Sequence, residues 1–360
     1  MVVLFTANHG HFIRVTSNVY FVIIAGVLLF SLGGHLATLK LKTPRMWRGI
    51  QRPPNRQMIN IIFWLTIVVL PTFVLSILVF EDIGPYRNLF QNLRYYRAGG
   101  TIVTPLVMYF VTVSYVSMGL QMVIGLGNRK KTKMWVAMAV SLAYSVLATG
   151  RSFLFLFMTV ILGILLIVRK IPVKRMLVVF AFMGLAIFIL VGIYQHNLVS
   201  ADQDFVASRD FFLESFRVYS LGTIPALDQA LRAKAELQYG ANTFRSVLAA
   251  VNRIGFRVDV PPLVQEYAYV PYPINVYTVF HPYYRDFGYA GIAVAMLLIG
   301  YVHGMVYRKA ATGRSFYVVI YAMLLFPLFM QFFQDQYFTL LATWVLVILV
   351  MKIAFFGKKT

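Results

Sequence analysis

Between Tyr272 and Gly291 the chain reads YPINVYTVFHPYYRDFGYAG, and three residues in it carry side chains suited to chemistry. His281 can take a proton near neutral pH, because a free imidazole titrates at about 6.5. Asp286 offers a carboxylate for the same task. Arg285, beside it, presents a planar fork of donors that fits phosphate or carboxylate in bidentate fashion. Around them stand Tyr272, Tyr277, Tyr283 and Tyr284, whose flat faces suit stacking on sugar rings. Each residue also has a structural reading. His281 can be a satisfied histidine ahead of Pro282, and Asp286 a cap or dipole partner for the apolar run that starts at Tyr289. The tyrosines can form an aromatic belt at a membrane interface.

Which side of a membrane these residues face decides between the readings. Of 360 residues, 60% are hydrophobic and 12% charged, against about 25% charged in soluble domains. The chain is therefore expected to be an all-α polytopic integral membrane protein. The opening MVVLFTANHGHFIRVT lacks the basic start of a cleavable signal. There is no cysteine, which excludes disulfides, iron–sulfur clusters and thiolate zinc sites. No cofactor motif is evident, and no metal is expected.

Nine stretches are apolar over the roughly 20 residues that a crossing helix needs. They are Asn18–Leu39, Met58–Phe80, Thr101–Gly125, Met134–Gly150, Ser152–Val168, Met176–Tyr194, Tyr289–Tyr307, Ser315–Gln331 and Tyr337–Phe356. The fourth and fifth are read as two helices meeting at Gly150–Arg151 rather than one broken span. Twenty of the 33 Lys and Arg fall in five clusters at 40–56, 129–133, 169–175, 308–314 and 352–359, all on one side of these spans. That side is the inner one. All twelve acids fall on the other side, so the net charge of +21 belongs to inner loops and lipid surface rather than to nucleic acid. The expected organisation is a bundle over 1–194, one long and partly helical outer loop over 195–288, and further spanning helices over 289–360.

Thirteen basic residues remain outside, and twelve are Arg. Lys would serve for charge alone, so the bias points to the guanidinium fork and to an anionic ligand such as the pyrophosphate of a lipid carrier. Pairing with the acids of the loop is the alternative for Arg217, Arg245 and Arg285. Arg151 has no acid within fifty residues, which leaves a ligand or lipid headgroups as its partner. Arg87, Arg94 and Arg97 have only Glu81 and Asp82 near in sequence.

Three helices are expected in the loop. DQDFVASRDFFLESFRVYS aligns Phe205, Phe212, Phe216 and Tyr219 on an interfacial stripe. TIPALDQALRAKAELQYG carries start and stop signals, and NTFRSVLAAVNRIG is a shorter amphipathic piece ending at Gly255. Together they read as a helical cap over the membrane. The following VPPLVQEYAYVPYPINVYTVFHPYY, with five prolines and six tyrosines, is expected to be neither helix nor regular strand.

NVYTVFHPYYRDFGYAGIAV, Asn275–Val294, resembles the N-x-Y-T-x-x-x-P-x-Y-x-D-F-G-x-x-G stretch of Wzy-type O-antigen and oligosaccharide repeat-unit polymerases. ATGRSFLFLFMTVILGIL and YGANTFRSVLAAVNRIG are similar to two further segments of that family. The family usually has more spans, and an Arg-x10-Gly spacing of some members is absent here, because Gly163 follows Arg151 one residue too late.

The resemblance implies a GT-C-like glycosyltransferase architecture in the bacterial inner membrane, multi-pass, with its site facing the periplasm. A growing glycan would pass from undecaprenyl pyrophosphate to the sugar of an incoming undecaprenyl-pyrophosphate-linked repeat unit. Arg151, Arg217, Arg245 and Arg285 would neutralise the leaving pyrophosphate, and His281 or Asp286 would take the acceptor proton. Tyr272, Tyr277, Tyr283 and Tyr284 would hold sugar. The implied partners are the lipid-linked oligosaccharide, membrane lipids and a chain-length-determining co-polymerase. An O-antigen ligase, or a lipid-linked sugar flippase or other transporter, is the competing reading. A transporter is expected to show inverted repeats and mid-membrane charges, which this sequence lacks.

Overall fold

A computed structural model describes residues 12–39, 54–78, 105–127, 131–148, 150–169, 171–196, 214, 216–233, 236–262 and 265–356. Arg87, Arg94 and Arg97, Arg209 and the stretch around Phe205 and Phe212 lie outside the described residues. The described chain is mostly helical. The first six helices are α1 (Ser17–Thr38), α2 (Arg56–Leu78), α3 (Pro105–Gly125), α4 (Thr132–Leu147), α5 (Arg151–Val168) and α6 (Val173–His196). After them come α7 (Thr223–Arg232), α8 (Arg245–Arg253), β1 (Ala268–Tyr269) and β2 (Pro273–Ile274). The chain closes with α9 (Phe280–Ala311), α10 (Ser315–Met330) and α11 (Leu341–Ala354).

Each of the nine apolar stretches overlaps one of these helices. Among the described residues four are long and apolar enough to cross a membrane: α1, the Arg56–Leu75 part of α2, α5 and α9. Shorter apolar helices occupy Tyr109–Gly125, α4, α10 and α11. This is the make-up of an all-α membrane protein.

The described chain divides into two compact units. One comprises Lys42–Phe205, Val306–Phe326 and Val345–Thr360. Hydroxyl groups stitch its helices together, as expected where lipid supplies no partner for a polar atom. The Tyr144 hydroxyl donates to the Thr66 carbonyl at 2.9 Å, and Ser141 Oγ to the Ser114 carbonyl at 2.9 Å. Close approach also needs small residues here, since a Cβ on Gly163 would lie 2.7 Å from the Ala322 Cα.

The other unit comprises Met1–Leu41, Val206–Met305 and Pro327–Trp344. In it α1 and α9 meet backbone to backbone. A Cβ on Gly33 would strike the Leu297 carbonyl, one on Gly300 the Phe30 carbonyl, and one on Gly304 the Gly34 carbonyl at 2.5 Å. A small core gathers Ala226, Ala268, Val270, Ile274, Val276 and Tyr277. It fixes α7 against the short antiparallel pair β1–β2, in which Ala268 faces Ile274 and Tyr269 faces Pro273.

Three expectations are corrected. The proline- and tyrosine-rich strip holds a two-residue strand pair and then turns helical at Phe280, nine residues before Tyr289. Pro282 permits this because it occupies the first turn, where backbone N–H groups have no intrahelical acceptor anyway. The helix beginning at Thr223 ends at Arg232 instead of running to Gly240, and residues 239–244 form turns.

Candidate functional site

The first eight residues of α9, Phe280–Phe287, form a helix of their own. Gly288 breaks it with φ 62° and ψ −152°, backbone angles that in practice only glycine adopts. A helix that stops so abruptly strands its last carbonyls. The chain upstream supplies their donors. Gln238 N–H donates to the Arg285 carbonyl at 3.0 Å, and Tyr239 N–H to the Asp286 carbonyl at 3.2 Å. The donating turn is itself shaped by positive φ at Tyr239 (45°) and Gly240 (99°).

Asp286 completes this junction. Its side chain is fully buried. Oδ1 accepts from Asn242 N–H at 3.1 Å and from Asn242 Nδ2 at 2.8 Å, and Oδ2 accepts from Thr243 N–H at 2.6 Å. A carboxylate held by two consecutive backbone N–H groups and a side-chain amide behaves as a clamp. It docks the YGANTF turn on the α9 head, and does not cap the run from Tyr289.

His281 stacks its ring on Tyr277, with centroids 4.1 Å apart and planes at 17°. It is 8% exposed, and neither ring nitrogen has a hydrogen-bond partner among the described residues. Tyr277 is buried and donates its hydroxyl to the Glu266 carbonyl at 3.1 Å. Burial and the Glu266 carboxylate push its phenol up, while Arg285 opposes them. Arg285 is half-buried and makes no ion pair among the described residues.

The remaining candidates spread around this head. Tyr283 is 1% exposed, with its hydroxyl on Asp335. Tyr284 is half-buried, donates to the Leu231 carbonyl at 3.1 Å and sets its ring edge-on to Tyr289. Tyr272 is half-buried against Phe12, and the Glu214 carboxylate, burial and a hydrogen bond to Glu214 raise its phenol while Arg217 opposes. Arg217 is exposed. Arg245 donates Nε–H to the Pro261 carbonyl at 2.7 Å, and burial, then the Arg253 charge, lowers its pKa. Tyrosine faces open to a ligand belong more to Tyr267 (57% exposed) and Tyr269 (65%) than to Tyr277 and Tyr283. Strand alternation at Ala268–Tyr269 was the signal for Tyr269, since one residue of such a pair must point away from the core.

Arg151 belongs to the other unit. It opens α5 directly after Gly150, which takes the extended N-cap position with φ −101° and ψ 129°. The Tyr115 hydroxyl holds this corner. It donates to the Phe153 carbonyl at 3.0 Å and lies 2.9 Å from Ser145 Oγ near the end of α4. The two apolar stretches are thus separate helices with a tight corner between them, and Arg151 sits on it.

The sequence reading missed Asn242, Thr243 and Asp335. Their partners lie 44, 43 and 52 residues away, beyond any local pattern. Among the described residues no group of three or more His, Asp or Glu side chains converges as metal ligands would.

Among curated proteins, the chain is similar to an O-antigen polymerase of Shigella dysenteriae, with 29% identity over 214 residues. The match covers 58% of this chain and 53% of the relative, so the chain spans about half the length of the protein it matches. No family model matches the chain. No solved structure matches it either.

Proposed function

We propose that the chain is a membrane glycosyltransferase that polymerises lipid-linked oligosaccharide repeat units. The similarity to a protein named O-antigen polymerase carries this reading. The make-up of an all-α membrane protein and the half-buried Arg285, without an ion pair among the described residues, beside an aromatic strip support it. The proposed donor is a glycan on undecaprenyl pyrophosphate, and the acceptor is a lipid-linked repeat unit. The proposed setting is the periplasmic face of the bacterial inner membrane, with a separate co-polymerase setting chain length.

In this proposal the acceptor hydroxyl oxygen bonds to the anomeric carbon as the bond from that carbon to the phosphate oxygen breaks. The electron pair leaves with pyrophosphate, and the acceptor proton goes to His281. His281 is preferred to Asp286 because its ring nitrogens have no hydrogen-bond partner among the described residues, whereas both Asp286 oxygens are occupied. Asp286 then positions Arg285, its neighbour, rather than touching substrate. Arg285, Arg217 and Arg245 are the proposed phosphate ligands, since developing negative charge is best met by preorganised donors, and Arg151 is proposed by itself as a phosphate-binding residue of its own unit. Tyr272 and Tyr284, with Tyr267 and Tyr269, present ring faces for sugar; Tyr277 and Tyr283 act as supports.

Deleting the gene tests the proposal. A polymerase leaves lipid A core bearing a single repeat unit. Bare core identifies a ligase or a flippase and overturns the reading.

A further inference from the structure

Helix α8 is amphipathic, and its apolar side is only partly covered by the described residues: Leu248 and Val251 are half-buried, while Val247 and Ile254 are exposed. Phe244, Val247, Leu248, Val251 and Ile254 fall within one stripe at helical spacing, while Arg245, Ser246, Asn252 and Arg253 take the opposite side. Not one residue of α8 is buried. Ile254 is 74% exposed, and Phe256 just beyond is 63% exposed. A contiguous apolar face left open in this way marks a docking surface.

Its position in the fold says what it docks on. The residues leading into α8 are latched to the head of α9 through Thr243 N–H on Asp286 Oδ2 at 2.6 Å. Asp286 precedes by three residues the point, Tyr289, where the apolar part of α9 begins. Phe244 also packs edge-on against Phe338 at 6.0 Å, and Ser246 Oγ reaches the Phe338 carbonyl at 3.5 Å. The start of α8 is therefore held beside the segment that leads into the apolar run of α9, a helix long and apolar enough to cross a membrane. Arg253, on the polar side, and Arg257, just beyond the helix, are both exposed at its carboxyl end, and Asp259 is the lone acid between 237 and 265. Apolar groups flanked by arginines here match a bilayer surface with anionic headgroups. A second protein would have to be recruited, whereas the bilayer is always present beside this helix.

We infer that α8, with Ile254 and Phe256, is a membrane-surface helix that lays its apolar stripe into the headgroup layer beside α9. This inference does not depend on the polymerase reading. It concerns how the outer segment is held, whichever reaction occurs there.

The native chain has no cysteine, so single labels can be placed cleanly. Ile254→Cys, Val247→Cys and Asn252→Cys are made in the full-length protein, labelled with an environment-sensitive fluorophore and reconstituted in phosphatidylglycerol–phosphatidylcholine vesicles. Lipids spin-labelled high on the acyl chain are expected to quench the labels at 254 and 247 at least about two-fold more than the label at 252. Aqueous iodide is expected to show the reverse order. Quenching of 254 and 247 by iodide but not by lipid overturns the inference in favour of a solvated helix. Protection of both from either quencher overturns it in favour of a covering protein segment. Two independent apolar sites guard against one variant failing to fold. Arg253→Glu with Arg257→Glu is expected to weaken lipid quenching most in vesicles rich in phosphatidylglycerol, and an unchanged signal removes the electrostatic part.

Discussion

The Tyr283 hydroxyl donates to Asp335 Oδ1 across 2.7 Å, and both residues are nearly inaccessible, at 1% and 4% exposure. Asp335 also receives Tyr337 N–H on Oδ1 at 3.0 Å and Thr339 N–H on Oδ2 at 2.9 Å. One carboxylate thereby ties the head of α9 to the turn that leads into α11. Asp335→Ala leaves a buried phenol and two backbone donors unmatched, at about 1–3 kcal/mol for each unsatisfied group. Asp335→Asn keeps an acceptor for Tyr283 and is expected to lose less. Thermal denaturation in detergent ranks the two, and equal losses contradict the hydrogen-bond account.

The same residue makes stability depend on pH. Burial raises the Asp335 pKa above the usual carboxylate value, against the opposing hydrogen bonds from Thr339, Tyr283 and Tyr337. The folded state therefore holds its proton more tightly than the unfolded chain. Its favourable contribution is complete below the ordinary carboxylate range and fades as pH rises through the elevated folded value. Across that window the melting temperature of the native protein is expected to fall relative to Asp335→Asn, which carries no titrating group. A difference that stays constant with pH refutes the assignment.

Gly288 and Gly291 tolerate no side chain, for different reasons. Nothing lies within 4 Å of a Cβ at Gly288, so alanine there is opposed only by backbone strain, about 1–3 kcal/mol. At Gly291 the added methyl would run into the Tyr283 carbonyl and lie 2.6 Å from the Phe287 Cβ. Gly291→Ala is expected to displace the α9 head, whereas Gly288→Ala stresses the break alone. Cysteine accessibility at Phe287 distinguishes them, with a large change expected only for Gly291→Ala.

Removing the Asp286 clamp should loosen the turn upstream. Asp286→Ala strands the N–H groups of Asn242 and Thr243, and residues 236–244 are expected to become a protease-sensitive site in the folded protein. Limited proteolysis with mass spectrometry locates the cut. An unchanged digestion pattern means the turn is held by other contacts.

If phosphate is gripped by guanidinium forks, charge alone will not suffice. Arg285→Lys and Arg151→Lys are each expected to abolish long polymer at normal protein level, because lysine keeps the charge and loses bidentate geometry. His281→Ala is expected to do the same if this side chain is the proton acceptor. Polymer length is read on silver-stained gels, and a normal ladder removes the residue in question from the site.

The helices of the fold were legible because a bilayer demands about 20 apolar residues in a row, a pattern written locally in the chain. Gly150–Arg151 was legible as a corner for the same reason, since two apolar runs can meet only where one has ended. The head of α9 was not. Its Pro282 argues against a helix in general, yet sits in the first turn, where proline is harmless. The role of Asp286 was hidden by distance in sequence: its proximity to Tyr289 suggested a cap, while its actual partners come from the YGANTF turn. Asp335 was legible at most in part, because its bonds from Tyr337 and Thr339 N–H are local while its tie to the Tyr283 phenol spans 52 residues.

The glycine seam between α1 and α9 fixes how the two helices are matched along their length. Where the Gly300 and Gly304 backbone lies directly against Phe30 and Gly34, there is no room for a side chain. Neither helix can slide along the other without driving a bulkier residue into that fit, so the pair is expected to move as one body.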